Sequence, residues 1–494
     1  MDCRIQTAQT TDPPNFPARP GPDPITCQNQ APQSGKILGV GEAFFRTIGH
    51  FWPKLNDRLE QLPETRFVPM ITYEKRFLAW WGLLLFCFKL TSRRQLDFDL
   101  RDLELKVLEN LNRLAGTKQS SLPVHKTLDH FLGHVGSTAL DELRAHCIRQ
   151  LIRNKVLDDI RLDGEFVVAT DGTGYLCFSE RHCPHCLTQK HESKTIYFHP
   201  VLEAKIVHQN GMALSIGTQF IENPPSQRQD GAQGDLPSYE TIKQDCELKA
   251  FLRLAPQLKK AFPQTPLCIG GDSLYACGPA LAICRQHDWS YVLTFKPGRT
   301  PALWADFQGL LKMSPQTKLK VHLPHGTEQA FHWVNGLVHT DSQGRTHTVN
   351  ALLCQETVDG KTQTYSWITN KVLSAANVQK IATHGGRVRF KIENQGFNIQ
   401  KNSGLNLEHA YSTGEDTIKS YYLLLQIAHL FMQMFEMGSL LKNLARRYGA
   451  TPIGLFGSLK NIAKRLLECF RFCQLDQEAF HPTASFQIRL GDTS

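Results

Sequence analysis

The sequence predicts an α/β protein whose core is interrupted by a β-rich insertion and flanked by helical regions. Two observations carry this expectation. Residues 166–170 and 267–271 are short, largely apolar runs, each followed at once by an aspartate, Asp171 and Asp272, as expected of strands buried on both faces. Between 301 and 371 the pattern changes to polar, alternating pieces separated by turn signals such as Asp341-Ser342-Gln343-Gly344 and Asp359-Gly360.

The elements follow in order. Residues 1–40 are rich in Pro, Gln and Thr and poor in large apolar side chains, which predicts a flexible tail. Residues 41–160 read as a helical region. Within it, 77–88 is an unbroken apolar run too short for the ~20 residues of a membrane helix, so a buried core helix is expected. No charged segment precedes an apolar one at the N-terminus, so no signal peptide is expected.

The core's first part spans 161–300. Its first strand ends at Asp171, and 195–207 and 212–221 alternate as two further strands about Asn210-Gly211, an antiparallel meander. Residues 239–262 carry apolar side chains at helical spacing, ended by Pro263 and Pro266 before the strand that delivers Asp272. A helix over 279–286 and a strand over 290–295 follow. After the insertion (301–370), a helix bearing Glu393 completes the core at 371–415. A basic helical region takes up 416–494. This order of strands and helices is that of an RNase H-like fold, with right-handed crossovers and a site at the carboxyl ends of the central strands.

Asp171, Asp272 and Glu393 are the candidate catalytic residues. Three carboxylates brought together by two strands and a helix suit a pair of Mg²⁺ ions, with Mn²⁺ as a substitute, placed for in-line attack on a phosphodiester. Asp245 and Glu247, on the first core helix, are further candidates for an added metal ligand, against the plain reading that acids on amphipathic helices are usually only solvated.

Four stretches carry a resemblance. Ala169-Thr170-Asp171-Gly172-Thr173-Gly174-Tyr175, Lys243-Gln244-Asp245-Cys246-Glu247, Gly271-Asp272-Ser273-Leu274-Tyr275-Ala276 and Arg389-Phe390-Lys391-Ile392-Glu393-Asn394-Gln395-Gly396-Phe397-Asn398 resemble the cut-and-paste DDE transposases of bacterial insertion sequences, over roughly residues 122–411. The similarity is to the branch that includes hairpin-forming enzymes, where a β-rich insertion precedes the Glu. It implies binding of double-stranded DNA at transposon inverted-repeat ends, cleavage, joining of the 3′-OH ends to target DNA, a homodimer on DNA, and an end-recognition role for the N-terminal helices. That branch carries a Tyr three residues before the Arg and a Lys seven after the Glu, which grip phosphates near the cut. Here Arg389 and Glu393 match, the Tyr position is Gly386, the Lys position is Gln400, and Lys401 follows one residue late. In a regular α-helix Gln400 lies roughly 20° from Glu393 in projection and Lys401 about 80° to the side, so Lys401 is expected to touch a backbone phosphate rather than the reacting one.

Fourteen cysteines without a regular framework, in a chain lacking an export signal, point to a reducing cytoplasm. One group stands apart: Cys183, Cys186 and His191 form a C-x2-C-x4-H arrangement that suits a structural Zn²⁺, with His182, His185 or His199 as fourth ligand, against the plain alternative of a polar hairpin tip. Trp367, Phe390 and Phe397 are candidates for base stacking or for core packing; His409, after Glu408, suits a local hydrogen bond or a DNA contact. The formal charge of +9, from 55 basic and 46 acidic residues, is mild. Residues 419–472 hold eight basic and two acidic residues, including Lys442, Arg446, Arg447, Lys460, Lys464 and Arg465. They form either a DNA-backbone surface or a solvated helix face. Two other functions remain open: an RNase H-like nuclease without strand transfer, and a non-catalytic DNA-binding protein derived from a transposase.

Overall fold

The computed structural model describes residues 39–101, 106–191, 194–223, 244–313, 318–481 and 486–490. The tail expected at 1–40 lies almost wholly outside them. Ten strands form one mixed sheet: β1 (Phe166–Phe178), β2 (Leu187–His191), β3 (Lys194–Val207), β4 (Ala213–Phe220), β5 (Leu267–Gly271), β6 (Ser290–Thr294), β7 (Lys318–His322), β8 (Glu328–Thr340), β9 (Thr346–Val358) and β10 (Lys361–Thr369).

The long strand β3 organises one half of the sheet. Along one edge it pairs antiparallel with β1; along the other it holds β2 against residues 194–198 and β4 against 201–207. The expected meander is therefore present, with an additional strand, β2, between its first two members. On its far side β1 pairs in parallel with β5, and β5 in parallel with β6. Parallel neighbours need crossovers, and the helices Glu247–Ala261 and Gly278–Gln286 precede β5 and β6. The first of these was expected from residue 239; residues 224–243 are outside the described set, and Cys246 is extended, so the helix starts at Glu247.

The insertion differs from the expectation at its start: it opens with a helix, Pro301–Met313, whose apolar positions lie among the polar pieces. Its strands continue the core sheet: β10 pairs antiparallel with β6 through Trp367↔Thr294 and Ile368↔Leu293, so β7–β10 extend it. Buried Phe331, Trp333, Leu352, Cys354 and Trp367 join Val167, Ala169 and Val292 in one cluster.

Residues 378–402 run as one helical stretch whose hydrogen bonding changes repeatedly: π-helical at Ile381–Gly386, 3₁₀ at Arg387–Phe390, π-helical again at Ile392–Phe397, α-helical at Asn398–Asn402. Close packing accompanies the changes. A Cβ on Gly386 would stand 2.4 Å from the Trp367 indole, and one on Gly396 would stand 3.2 Å from the buried Lys205 chain.

The helical flanks pack together. Lys75–Cys87 is buried from Phe77 to Cys87, as its apolar run requires. It lies against Glu415–Met437, which also contacts Ser137–Arg153 and Val40–Phe51. Asn110 donates to the carbonyls of Phe470 and Cys473, tying the N-terminal region to the Leu459–Phe472 helix. Glu415–Met437 is not simply amphipathic: Gln426, His429 and Gln433 are buried too. Their side chains are satisfied internally, Gln433 by Ala213 and Gln426 by Lys205, which removes the penalty of burying them. Among the described residues no helix is long and apolar enough to cross a membrane.

Candidate functional site

β1 runs past Asp171 to Phe178, so this residue lies within the strand instead of closing it. Its parallel pairing with β5 nevertheless ends at Ala169↔Gly270, and from Asp171 onward only β3 remains alongside, Asp171 facing Glu203 in register. Asp171 therefore stands at the notch left where β5 stops. Asp272 is the first residue past β5; its carboxylate caps the short turn Ser273–Tyr275 by accepting from the Leu274 amide at 2.8 Å. Glu393 reaches the same place from the helical stretch 378–402.

Arg389 joins them. Its guanidinium donates to Glu393 Oε1 at 2.7 Å and lies 3.4 Å from Asp171 Oδ2. Burial pushes the Asp171 carboxyl up to about 7; Arg389 opposes the rise, and the carboxylates of Glu393, Glu247 and Asp272 add to it. Asp171 thus senses three further carboxylates.

Glu247 belongs to this group and Asp245 does not. The Glu247 carboxylate lies against the backbone of Gly172, where a Cβ would meet it at 2.2 Å, and burial together with Asp272 raises its pKa. Asp245 is paired with Arg253 and accepts from the Glu222 amide. The sequence placed both acids on one helix; Asp245 is held away from the notch by Arg253 and the Glu222 amide.

The donor set fits a hard divalent cation: all ligand atoms are carboxylate oxygens whose repulsion a cation would relieve. The spacing shows a cation already in place, the guanidinium of Arg389. Among the described residues metal-ligating atoms crowd together at the Cys/His turn, where those of His182, Cys183 and His199 lie within 4.8 Å of one another, and not at the carboxylates. The carboxylates are more widely set, with Arg389 between Asp171 and Glu393.

The π-helical winding at Ile392–Phe397 changes the direction of the residues that follow. An i→i+5 turn takes in roughly one residue more than an α-turn, so the face of the helix lags after Glu393. Gln400, expected close to Glu393 in projection, is instead fully buried and donates to Gln426 Oε1 and to His429 Nδ1, both at 2.8 Å. Lys401 takes the solvent side, 2.8 Å from Glu408 Oε1.

Beside Arg389 a cleft of about 430 Å³ is lined by Lys296, Tyr365, Trp367, Arg387, Arg389 and Phe390. Phe390 is 38% exposed and faces it; Trp367 is buried beneath Gly386, and Phe397 is buried with the Lys205 ammonium 5.7 Å from its ring. Of the three aromatic candidates, Phe390 alone is accessible. His409 packs edge-on against Tyr411, ring centroids 4.8 Å apart.

Behind the site Glu203, Lys205 and Arg144 are fully buried. Glu203 accepts from Ser215 at 2.6 Å and from Thr218, and lies 3.2 Å from Lys205 Nζ. Arg144 donates to Ser215, Thr218 and Asp141.

The Cys/His segment forms a tight turn between β1 and β2. Cys183 and Cys186 converge on His199 of β3. His191, expected as a ligand, sits at the far end of β2, its backbone opposite Lys194. His185 is engaged elsewhere, by the Asn223 carbonyl and Glu415. The basic residues of the C-terminal region lie on exposed faces: Arg446, Arg447, Lys460, Lys464 and Arg465 are all exposed.

No protein-family model matches the chain, and no curated protein matches it.

Proposed function

We propose that this chain is a DDE transposase with an RNase H-like core, cutting DNA at transposon ends and joining the freed 3′-OH to target DNA. The observation that carries the proposal is the convergence of Asp171, Asp272 and Glu393 on the notch where β5 ends, with Arg389 bridging two of them. The strand order β4-β3-β1-β5-β6 with only β1, β5 and β6 parallel supports it.

Asp171 would hold cations at the centre of the site, with Asp272 and Glu393 on either side and Glu247 as a further oxygen donor. Bound Mg²⁺ would supply the Lewis acidity for in-line attack on a phosphodiester. The chain's own residues do the rest. Arg389, which bridges Asp171 and Glu393, would offer its guanidinium to the phosphate beside the cut, where a planar donor pair matches the phosphate oxygens. Lys401 and the exposed basic residues of the C-terminal helices bind the DNA backbone. Two ends must be cut and joined together, so a homodimer on DNA is the expected working unit.

The experiment is incubation of the purified protein with DNA carrying the inverted repeats that flank its own reading frame, plus Mg²⁺. Cleaved and joined products are expected. Cleavage without joining would make the chain a nuclease, and binding without cleavage would leave only a DNA-binding protein.

A further inference from the structure

We infer that His182, Cys183, Cys186 and His199 hold one structural Zn²⁺ in a tetrahedral site with two cysteine and two histidine ligands. This site is separate from the carboxylates and does not depend on the proposed reaction.

The distances make the case. Zinc at about 2.3 Å from sulfur and about 2.05 Å from nitrogen, with tetrahedral angles, requires sulfurs about 3.8 Å apart and sulfur to nitrogen about 3.6 Å. Cys183 Sγ and Cys186 Sγ are 3.7 Å apart, and His199 Nε2 is 3.4 Å from the first and 3.2 Å from the second. A disulfide would need about 2.05 Å. Three ligand atoms thus already stand at the corners of one face of a zinc tetrahedron.

Because Cys186 is outside the group whose ligand atoms lie within 4.8 Å of that of His182, and zinc requires about 3.6 Å, His182 would supply the fourth corner by moving inward. It has a ligand nitrogen within 4.8 Å of those of Cys183 and His199, and its Nδ1 is buried without a hydrogen-bond partner. A buried imidazole nitrogen left unpaired is costly, and a metal bond removes the cost. Its ring is held by stacking on Phe178, centroids 4.5 Å apart at 10°. Two thiolates and two neutral imidazoles also balance the charge of Zn²⁺, which suits a site where Cys186 and His199 are buried; binding releases the two thiol protons.

The ligand set differs from a C-x2-C-x4-H reading in its third member. Four residues of extended strand separate Leu187 from His191, about 14 Å at about 3.4 Å per residue, and β2 carries His191 away from the turn. His199, eight residues further on, returns on β3 beside Leu176 of β1. The metal would staple the turn between β1 and β2 to β3, fixing the outer half of the strand that bears Asp171.

The test is metal analysis of the full chain, with cobalt substitution for geometry. One zinc per chain is expected, lost in Cys183→Ser and in His199→Ala but kept in His191→Ala and His185→Ala. Cobalt should give the intense visible bands of a tetrahedral ion with thiolate charge transfer. Absence of zinc after growth with added zinc, a Cys183–Cys186 disulfide in protein purified under reducing conditions, or zinc lost in His191→Ala but kept in His199→Ala would each overturn the inference. If the variants do not fold, the cobalt spectrum of the unaltered protein decides: bands without thiolate charge transfer would overturn it.

Discussion

Gly386 lies directly against Trp367: a Cβ at this glycine would stand 2.4 Å from the indole Cε2 and 2.5 Å from Nε1. The ring is held in β10, opposite Thr294 of β6, and cannot retreat without disturbing the sheet. In the resembling transposases a tyrosine occupies this helical position. Here the indole fills the space that its side chain would need.

Restoring that family pattern should therefore harm the protein. Gly386→Tyr forces the helical stretch off the sheet and is expected to cost more than the ~1–3 kcal/mol typical of overpacking. Gln400→Lys places a charge in a fully buried position near Lys205 and is expected to cost roughly 3–5 kcal/mol, as for an uncompensated buried charge. Urea denaturation of both variants measures this, and wild-type stability in either would contradict the packing described.

Asp171→Ala, Asp272→Ala and Glu393→Gln should each lower DNA cleavage by at least about 10³-fold, because each removes an anionic ligand from a site whose cations contribute several kcal/mol to the transition state. DNA binding, dominated by phosphate contacts elsewhere, should stay nearly unchanged. Glu247→Gln is expected to give a smaller loss. Gel-based cleavage and binding assays run in parallel separate the two effects, and near-normal cleavage by any of the first three would remove that residue from the site.

The raised pKa of Asp171 has a definite sign. Its folded value, about 7, exceeds the ordinary carboxylate value near 3.9, so the folded state holds this proton more tightly than the unfolded chain does. The resulting stability is present at low pH and is lost as pH rises, up to about 7. Asp171→Asn removes the ionisation, and should raise the melting temperature more at pH 8 than at pH 5 in metal-free buffer. Equal shifts at both would refute the assignment. Arg389→Ala removes the group that opposes the rise, so it should move any pH-dependent gain in cation binding to higher pH.

Arg389→Ala should lower the cleavage rate more than it weakens end binding, since a guanidinium beside the reacting phosphate matters most when charge builds there. Lys401 is partly exposed and paired with Glu408, so Lys401→Ala should cost about tenfold and grow less visible as salt rises. Gln400→Ala, by contrast, should reduce stability through the Gln426 and His429 contacts without a specific rate effect. Single-turnover cleavage at two salt concentrations distinguishes these outcomes.

The sequence by itself determined the local elements and the chemical types. Apolar runs ending in aspartates marked the strands of Asp171 and Asp272 because buried strands must be apolar along their length. Asn210-Gly211 marked the hairpin because that turn needs residues tolerant of positive φ, and Gly211 has φ of 94°. Only the tertiary structure decided what depends on distant partners. That β10 joins β6 is a pairing across some seventy residues, invisible to local pattern. Glu247 lies against Gly172 at the notch while Asp245 is tied to Arg253 and the Glu222 amide, and His199 and not His191 meets the cysteines because strand pairing carries one histidine toward the turn and the other away. The π turns lie beyond periodicity as well: a regular 100° per residue places Gln400 close to Glu393 in projection, whereas packing of Gly386 on Trp367 and of Gly396 on Lys205 accompanies the altered winding that buries it.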